Sequence, residues 1–453
     1  MLAQSLILVP LLGIAVLMLA RRGLDAREQQ LVVYGWLAHL IGAFGLVIYH
    51  EYIFRGGDMY LYHHYGREVA RLMRDDFVLY APEAVNLTLQ RETVFPFGVL
   101  LGGTSTASMM GITSFASLLF GDSIYGLCVA FSFFSFLGTV QSYKAVRFKL
   151  NSGERVPALS GILLVPSVIF WTAGIVKEGV VVAALGCLLG SISDVLVRRR
   201  ILASVPIPFL VGIVALVKPY VLVPLALGFG AWFYAGRGGR IRLGYKVLGL
   251  VLAVGGVLAV GRAFPAYGVD QVAETIATTQ ENFASANTAA GSGIEMGERG
   301  GEQSLAGSLK WAPLGLLNAL ARPMIFDIRN GATAIAALEM TLVVWIVVSL
   351  VRRHGVRRVL REISSQPPFL FSAVFVLAFG TSVGLATANL GTLSRYRVPM
   401  MPMYVASVLV IRARLDKGRE QATRRPISPS VASRAIRPRM QRHGRPRGAA
   451  TGA

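Results

Sequence analysis

Apolar runs alternate with short polar turns along most of this chain. About eleven of these runs are long enough to cross a bilayer as helices, which takes about 20 residues each. They lie near residues 2–20, 31–49, 122–143, 157–174, 179–197, 201–217, 220–236, 246–263, 331–351, 368–387 and 398–414. The pattern predicts an all-α, polytopic membrane protein with about 11 transmembrane helices.

One apolar segment, 97–119, does not fit this simple count. It contains Gly102, Gly103 and Thr104, which make it weakly hydrophobic. If it crossed fully, the basic turn from Lys144 to Arg155 would lie outside, against the rule that Lys and Arg in short loops stay cytoplasmic. We therefore predict a re-entrant or interfacial segment.

Two polar segments are longer than turns. The first, 50–96, contains an amphipathic pattern from Tyr60 to Phe77 that is typical of a helix lying at the membrane surface. The second, 264–330, begins polar and Gly-rich and becomes amphipathic after Trp311. The predicted organisation is a transmembrane domain over 1–414, with these two outer loops, and a disordered basic cytoplasmic tail over 415–453.

Composition supports this class of protein. Of 453 residues, 54% are hydrophobic and only 15% are charged, below the quarter usual in soluble domains. The net charge of +21 lies mostly in turns and in the tail, so attraction to anionic lipid explains it better than nucleic-acid binding. Cys128 and Cys187 lie in apolar runs and predict neither a disulfide nor a metal site.

The polar turns fall into two sets. One set is almost purely basic: Arg21–Arg22, Lys144 to Arg155, Arg198 to Arg200, Arg237 to Lys246 and Arg352 to Arg361. The positive-inside rule places these turns and the C-terminal tail in the cytoplasm and the N-terminus outside. The other set, with mixed and chemically capable residues, is then expected on the outer face, where we place the candidate site.

Two candidate catalytic residues lie in the first outer loop. Asp58, after Gly56 and Gly57, has the chemistry of a general base toward a hydroxyl, although an Asp there also suits a helix cap. His63, beside His64, suits a base or proton relay near neutral pH, with simple surface exposure as the alternative.

The remaining candidates are substrate-binding residues. Lys177, Glu178 and Lys218 lie at the outer ends of apolar runs, where burial of charge is costly unless it is partnered. The structural alternative is that the Lys side chain extends to the membrane interface while Glu178 satisfies the start of a helix. The planar guanidinium groups of Arg395 and Arg397 have N–H donors that match the geometry of phosphate oxygens, and Arg322 is a further candidate phosphate ligand.

No P-loop, G-x-S-x-G, H-E-x-x-H or Cys/His cluster occurs in the sequence. We predict no metal site and no cofactor, while a divalent cation is left open. The outer face is expected to combine several cations with a carboxylate and a histidine. This combination suits an enzyme whose substrate is a lipid-linked phosphate. The cations would neutralise the leaving phosphate while the carboxylate deprotonates a sugar hydroxyl.

Several motifs resemble bacterial envelope-polysaccharide membrane proteins. These motifs are Gly57–Asp58 with Tyr62–His63, the run from Pro166 to Glu178, and Asn389 to Pro399. The similar proteins are multi-helix glycosyltransferases that use lipid-phosphate sugars, and oligosaccharide repeat-unit polymerases. The resemblance implies Asp58 as the base, with Arg395, Arg397 and His63 holding a lipid pyrophosphate. The acidic loop here follows the second crossing instead of the first, and Asp75–Asp76 do not form a D-x-D pair.

The sequence thus predicts a membrane glycosyltransferase or polysaccharide repeat-unit polymerase in the bacterial cytoplasmic membrane. Its expected partners are a polyprenyl-linked sugar or oligosaccharide, membrane lipid and envelope-polysaccharide assembly proteins, with no nucleic acid. Two alternatives stay open: a transporter or flippase of a lipid-linked or anionic solute, and a non-catalytic subunit of an assembly complex. Spacing alone identifies neither the sugar nor the lipid.

Overall fold

A computed structural model of the protein describes residues 2–99, 102–235, 310–328, 331–387 and 389–424. The described chain is helical and confirms the predicted all-α class. The first helices are α1 (Leu2–Arg21), α2 (Ala26–Ile48), α3 (Asp58–Asp75), α4 (Phe77–Thr88), α5 (Ser105–Phe120), α6 (Ile124–Arg147), α7 (Ser152–Leu163), α8 (Pro166–Thr172) and α9 (Lys177–Leu196). The others are α10 (Pro206–Val217), α11 (Leu222–Ala235), α12 (Ala312–Ala321), α13 (Gly331–His354), α14 (Val356–Ser365), α15 (Pro367–Ala386), α16 (Leu390–Tyr396) and α17 (Met401–Arg424).

Five of the described helical segments are long and apolar enough to cross a membrane: 26–54, 124–147, 177–195, 333–354 and 367–386. Two bent pairs, α7 with α8 and α16 with α17, raise this number to seven if each pair forms one span. The count of eleven stays a prediction. Three of the expected spans are shorter apolar helices here, and the one expected at 246–263 lies outside the described residues.

Close helix packing at small residues holds the centre of the fold. Along α6 and α9, a Cβ atom on Gly138 would lie 2.5 Å from Cα of Ala183, and one on Gly186 would overlap the carbonyl oxygen of Gly138. Gly315 of α12 and Gly384 of α15 meet in the same way. Such contacts are typical of helices that associate in lipid, where small residues let the backbones approach.

The amphipathic pattern of the first outer loop forms α3. Its apolar side chains Tyr62, Val69 and Met73 are buried, and the helix packs against α5. The α5 helix occupies most of the weakly hydrophobic segment 97–119 and, with 16 residues, is shorter than a full crossing. Whether it is re-entrant or interfacial stays a prediction.

The C-terminal part of the chain separates into a second unit, which begins at Arg414. Helix α17 continues to Arg424, so the first ten residues of the predicted disordered tail are helical. The Lys, Arg, Glu, Gln and Ala residues of this stretch have high intrinsic helix propensity, which favours continuation of α17. Residues 425–453 lie outside the described part of the chain, as do 236–309, which include residues 264–309 of the second outer loop.

Candidate functional site

Five of the predicted site residues converge at one place in the structure. It lies where helices α3 and α9 begin and where α10 and α16 end. The residues are Asp58, Lys177, Glu178, Lys218 and Arg395, and we call them the charged cluster.

Glu178 lies at the centre of the charged cluster and its side chain is fully buried. Its Oε1 atom is 2.8 Å from Nζ of Lys218 and 3.0 Å from Nε of Arg395. A buried carboxylate in the first turn of α9 is favoured by the helix dipole, and two cations offset much of its desolvation cost. Glu178 Oε2 has no hydrogen-bond partner among the described residues, so this network is not closed.

Asp58 is the accessible carboxylate of the cluster. Its Oδ2 atom accepts a hydrogen bond from Nη2 of Arg395 at 3.1 Å, while 51% of the side chain stays exposed. Gly57, at a φ of 102°, takes the capping position before α3, and Asp58 is the first helical residue. The alternative interpretation of Asp58 as a helix cap therefore does not describe this geometry.

Lys177 contributes a cation that no carboxylate neutralises directly. Its Nζ atom donates to Oγ of Ser105 at 2.8 Å and to Oγ1 of Thr106 at 3.2 Å, both at the start of α5. No carboxylate lies within ion-pair distance of it in the described part of the chain. With three cations and two carboxylates, the cluster carries a formal net charge of +1 (three minus two).

Aromatic rings surround these cations. Lys218 Nζ lies 4.6 Å from the ring centre of Tyr396, and the Arg395 guanidinium lies 5.8 Å from that of Trp171. Tyr62 approaches Lys177 at 5.9 Å. Its burial raises the pKa of the Tyr62 hydroxyl above its ordinary value, which keeps this wall of the site uncharged. Cation–π contacts of this kind favour cations in a partly desolvated place.

His50 belongs to this region, although the sequence pattern did not single it out. It is buried in a π-helical segment, Tyr49–Phe54, and its Nδ1 atom lies 2.6 Å from the carbonyl oxygen of Gly56. Because a carbonyl only accepts, Nδ1 carries the hydrogen, and the buried Nε2 has no partner among the described residues. The only signal in the sequence is a polar residue closing an apolar run.

His63, the second predicted catalytic residue, lies in a different network. Its Nε2 atom donates to the carbonyl oxygen of Asp122 at 2.8 Å, and the Asp122 carboxylate pairs with Arg74 at 2.6 Å. Burial lowers the pKa of His63, so the ring stays neutral near pH 7. This position joins α3 to the loop before α6 and does not present His63 to the charged cluster.

Arg322 and Arg397 also form a separate group. Arg397 is completely buried and donates to the carbonyl oxygen of Arg322, whose own guanidinium pairs with Asp327 through an Nε to Oδ2 distance of 3.1 Å. Glu339, on α13, is buried, and its carboxylate accepts hydrogen bonds from the backbone N–H and the hydroxyl of Ser167 at 2.6 and 2.7 Å. Arg395 lies in the last turn of α16 and Arg397 directly follows that helix. Two positions apart on a helix of 3.6 residues per turn, their side chains point roughly 200° apart, which separates Arg397 from Arg395.

A cleft opens beside the cluster, along the loop between α4 and α5. It has a volume of about 670 Å³, and Phe95, Phe97 and Gly103 contribute to its wall. The Phe95 and Phe97 rings are parallel within 6°, with centres 5.5 Å apart. Gly103 is two residues before Ser105, so the loop that forms the cleft leads directly into the start of α5, which holds Lys177.

Among the described residues, no three His, Cys, Asp or Glu side chains are grouped as metal ligands. In comparisons with protein families, curated proteins and solved structures, nothing matches this chain. The assignment of function therefore depends on the geometry of the site.

Proposed function

We propose that this protein is a membrane glycosyltransferase or polysaccharide repeat-unit polymerase that uses a polyprenyl-phosphate-linked donor. The observation that carries the proposal is the charged cluster: an excess of cations at helix ends beside one accessible carboxylate. A purely structural ion pair would need only Glu178 and Lys218. The additional Lys177 and Asp58 are therefore better explained by a bound substrate.

The donor phosphate is proposed to bind between Lys177 and Arg395. Lys177 has only hydroxyl partners, so a phosphate oxygen gains a full charge-assisted contact by replacing Ser105 or Thr106. Arg395 has an Nε–H that is near Glu178 but is not aligned for a hydrogen bond. Both groups are preorganised by burial, which is how an enzyme stabilises charge that develops on a leaving group.

In the proposed reaction an acceptor hydroxyl oxygen attacks the anomeric carbon of the donor sugar. The new C–O bond forms as the bond from that carbon to the phosphate oxygen breaks, and the leaving lipid phosphate keeps the electron pair. The hydroxyl proton passes to Asp58, whose half-exposed carboxylate is the basic group that a substrate can reach.

The acceptor sugar is proposed to lie in the cleft beside the cluster. Its volume suits a ligand of a few sugar rings, and the parallel Phe95 and Phe97 rings offer aromatic faces. The partly positive C–H groups of a sugar ring pack favourably on the negative face of an aromatic ring.

The cellular setting follows the same proposal. The cluster and the basic residue Arg198 lie at opposite ends of α9, about 30 Å apart for a 20-residue helix. The positive-inside rule then assigns the cluster to the outer face of the cytoplasmic membrane of a bacterium. The partners would be the polyprenyl-linked sugar, bilayer lipid and other envelope-polysaccharide assembly proteins.

A transporter or flippase is the second candidate, because helices break beside the cluster. The α16–α17 pair bends by 76° directly after Arg395, and the α7–α8 pair bends by 45° before Trp171. Broken helices that carry charge are common at transporter sites. The cluster lies at helix ends, however, and a transporter site is expected near the bilayer midplane.

The test is glycan output in a strain that lacks this protein, complemented with wild type, Asp58→Asn or Lys177→Gln at equal membrane levels. Asp194→Asn is the matched control, because it removes a carboxylate from the other end of α9. We expect both cluster variants to lose polymer, with lipid-linked units accumulating, while the control makes normal polymer. Wild-type polymer from Asp58→Asn would contradict the transfer reaction.

The transporter is distinguished by where the lipid-linked units accumulate. Loss of flipping leaves them on the cytoplasmic leaflet, whereas loss of transfer leaves them on the outer leaflet, where an added glycosidase can reach them. If deletion abolishes polymer but no cluster variant does, the protein acts as a non-catalytic subunit.

A further inference from the structure

A second cavity lies at the basic end of the helices, away from the charged cluster. It has a volume of about 430 Å³ and is formed by α6, α9 and α10. Lys144 and Arg198 line one side of it, and Pro206, Phe209 and Leu210 line another. The proposed glycosyl transfer makes no use of this cavity.

The polar side of the cavity has an unneutralised cation. Lys144 makes no ion pair with any described residue, and Arg22, Arg147 and Arg198 are close enough to repel its charge. The carboxylate of Asp194, which also lines the cavity, is 2.7 Å from Arg198 and is already engaged there. Arg147 pairs with Glu28 at 2.7 Å and Arg198 is exposed, so Lys144 is the half-buried cation that keeps no carboxylate partner among the described residues. A cation in this situation favours an anion beside it.

The apolar side of the cavity continues onto an exposed hydrophobic surface. Phe209 is 70% exposed, and Leu202 and Val205 beside it are exposed to a similar degree. In a helical membrane protein such residues face acyl chains, because hydrocarbon contact there costs nothing. A ligand that fills this cavity thus meets cations at one end and lipid at the other.

We propose that this cavity binds an anionic phospholipid, with the head-group phosphate on Lys144 and an acyl chain along Phe209 and Leu210. A free phosphate ion would use only the polar side and would leave the apolar wall without a role. Basic pockets between membrane helices bind anionic head groups in this way. The bound lipid would lie between α6, α9 and α10.

The experiment uses the full-length protein purified in a neutral detergent and placed in nanodiscs of phosphatidylcholine with a small fraction of phosphatidylglycerol. Native mass spectrometry then counts the phosphatidylglycerol molecules retained per protein. We expect one retained molecule in the wild type, and about a five-fold loss of affinity in Lys144→Gln, from the loss of one cation near the head group. Lys149→Gln is the control, because Lys149 is exposed at the same end and outside the cavity.

Two results would overturn the proposal. Equal losses in Lys144→Gln and Lys149→Gln would mean that the general surface potential attracts the lipid. Full displacement of the lipid by inorganic phosphate, with Phe209→Ser binding as the wild type does, would mean that the cavity is a site for the free ion. If Lys144→Gln fails to fold, Phe209→Ser still tests the cavity, since its exposed side chain supports no core and its loss should lower lipid retention alone.

Discussion

At the scale of single residues, the site depends on how buried charges find partners. Glu178 is completely buried and is shared by Lys218 and Arg395, while Asp58 extends the network to solvent. Removing one member of such a group leaves the remaining buried charges without a partner. The resulting loss of folding stability is far larger than the net stability that the intact ion pair contributes.

We predict that Glu178→Gln lowers the free energy of unfolding by about 3–5 kcal/mol. Lys218 is then buried without a carboxylate, and Arg395 keeps only its contact with the half-exposed Asp58. Asp194→Asn on the same helix removes a more exposed pair and should cost about 0–1 kcal/mol. Unfolding titrations in mixed SDS and neutral detergent measure both values. Equal, small changes in the two variants would show that the charged cluster is not a buried network.

His63 predicts a pH dependence of stability. Burial, the largest effect, lowers the pKa of His63 below the ordinary 6.5, so the unfolded chain takes up a proton at higher pH than the folded protein does. The contribution of neutral His63 is complete above about pH 6.5 and is lost as the pH falls. Arg67 and Asp122 are the charged groups beside its ring, and His64 is its neighbour in the chain.

We expect the melting temperature to fall between pH 7.5 and 5.5, and to fall less in His63→Gln, whose amide still donates to the Asp122 carbonyl. His64→Gln, at the exposed neighbour, should keep the wild-type pH dependence. Thermal unfolding at the two pH values measures this. A His63→Gln profile identical to the wild type would place the titrating group elsewhere.

At the scale of helices, glycines decide how closely the membrane segments approach. Gly138 and Gly186 bring α6 and α9 together, and a Cβ atom on either meets backbone that has no room to move. Four residues along α9 from Gly186, a Cβ atom on Gly190 would lie 3.5 Å from the nearest side chain, an ordinary contact.

We therefore predict that Gly186→Ala destabilises the protein by several kcal/mol, since α6 and α9 must separate. Gly190→Ala should be neutral or slightly stabilising, because Ala favours helix over Gly. The yield of monodisperse protein and its melting temperature in detergent compare the two. Similar behaviour of both variants would exclude a close α6–α9 crossing.

Periodicity and charge predicted much of what these helices do. The amphipathic pattern after Asp58 is indeed α3, with Tyr62, Val69 and Met73 buried, and the charged ends of the runs at Lys177 and Lys218 do meet. The sequence could not separate Arg395 from Arg397, because two residues of one motif turn to different sides of a helix. The sequence also could not place His63 apart from the charged cluster, because its partner, the carbonyl oxygen of Asp122, is a backbone group that composition does not identify.

At the scale of the whole chain, charges sort to the two ends of the helices. Asp58, Lys177 and Lys218 lie at one end, while Arg147 and Arg198 lie at the other. The positive-inside rule predicts this arrangement for a membrane protein whose basic loops lie on one side of the bilayer and whose candidate site lies on the other.

Topology can be tested by cysteine labelling with an impermeant maleimide, in a background with Cys128 and Cys187 changed to Ala. We predict that His64→Cys is labelled in intact cells and that Arg199→Cys is labelled only after permeabilisation. Both side chains are exposed, so accessibility within the fold does not separate them. Labelling of both from the same side would contradict the two-ended arrangement.

The most direct test of the proposed transfer site uses purified protein in nanodiscs, with a polyprenyl-diphosphate-linked oligosaccharide as donor and acceptor. The measurement is the rate at which free polyprenyl diphosphate is released. We predict release by the wild type and a rate at least about 100-fold lower in Asp58→Asn, as expected for loss of a general base. The control Asp194→Asn, at the other end of α9, should release polyprenyl diphosphate normally. Unchanged release in Asp58→Asn would contradict the account.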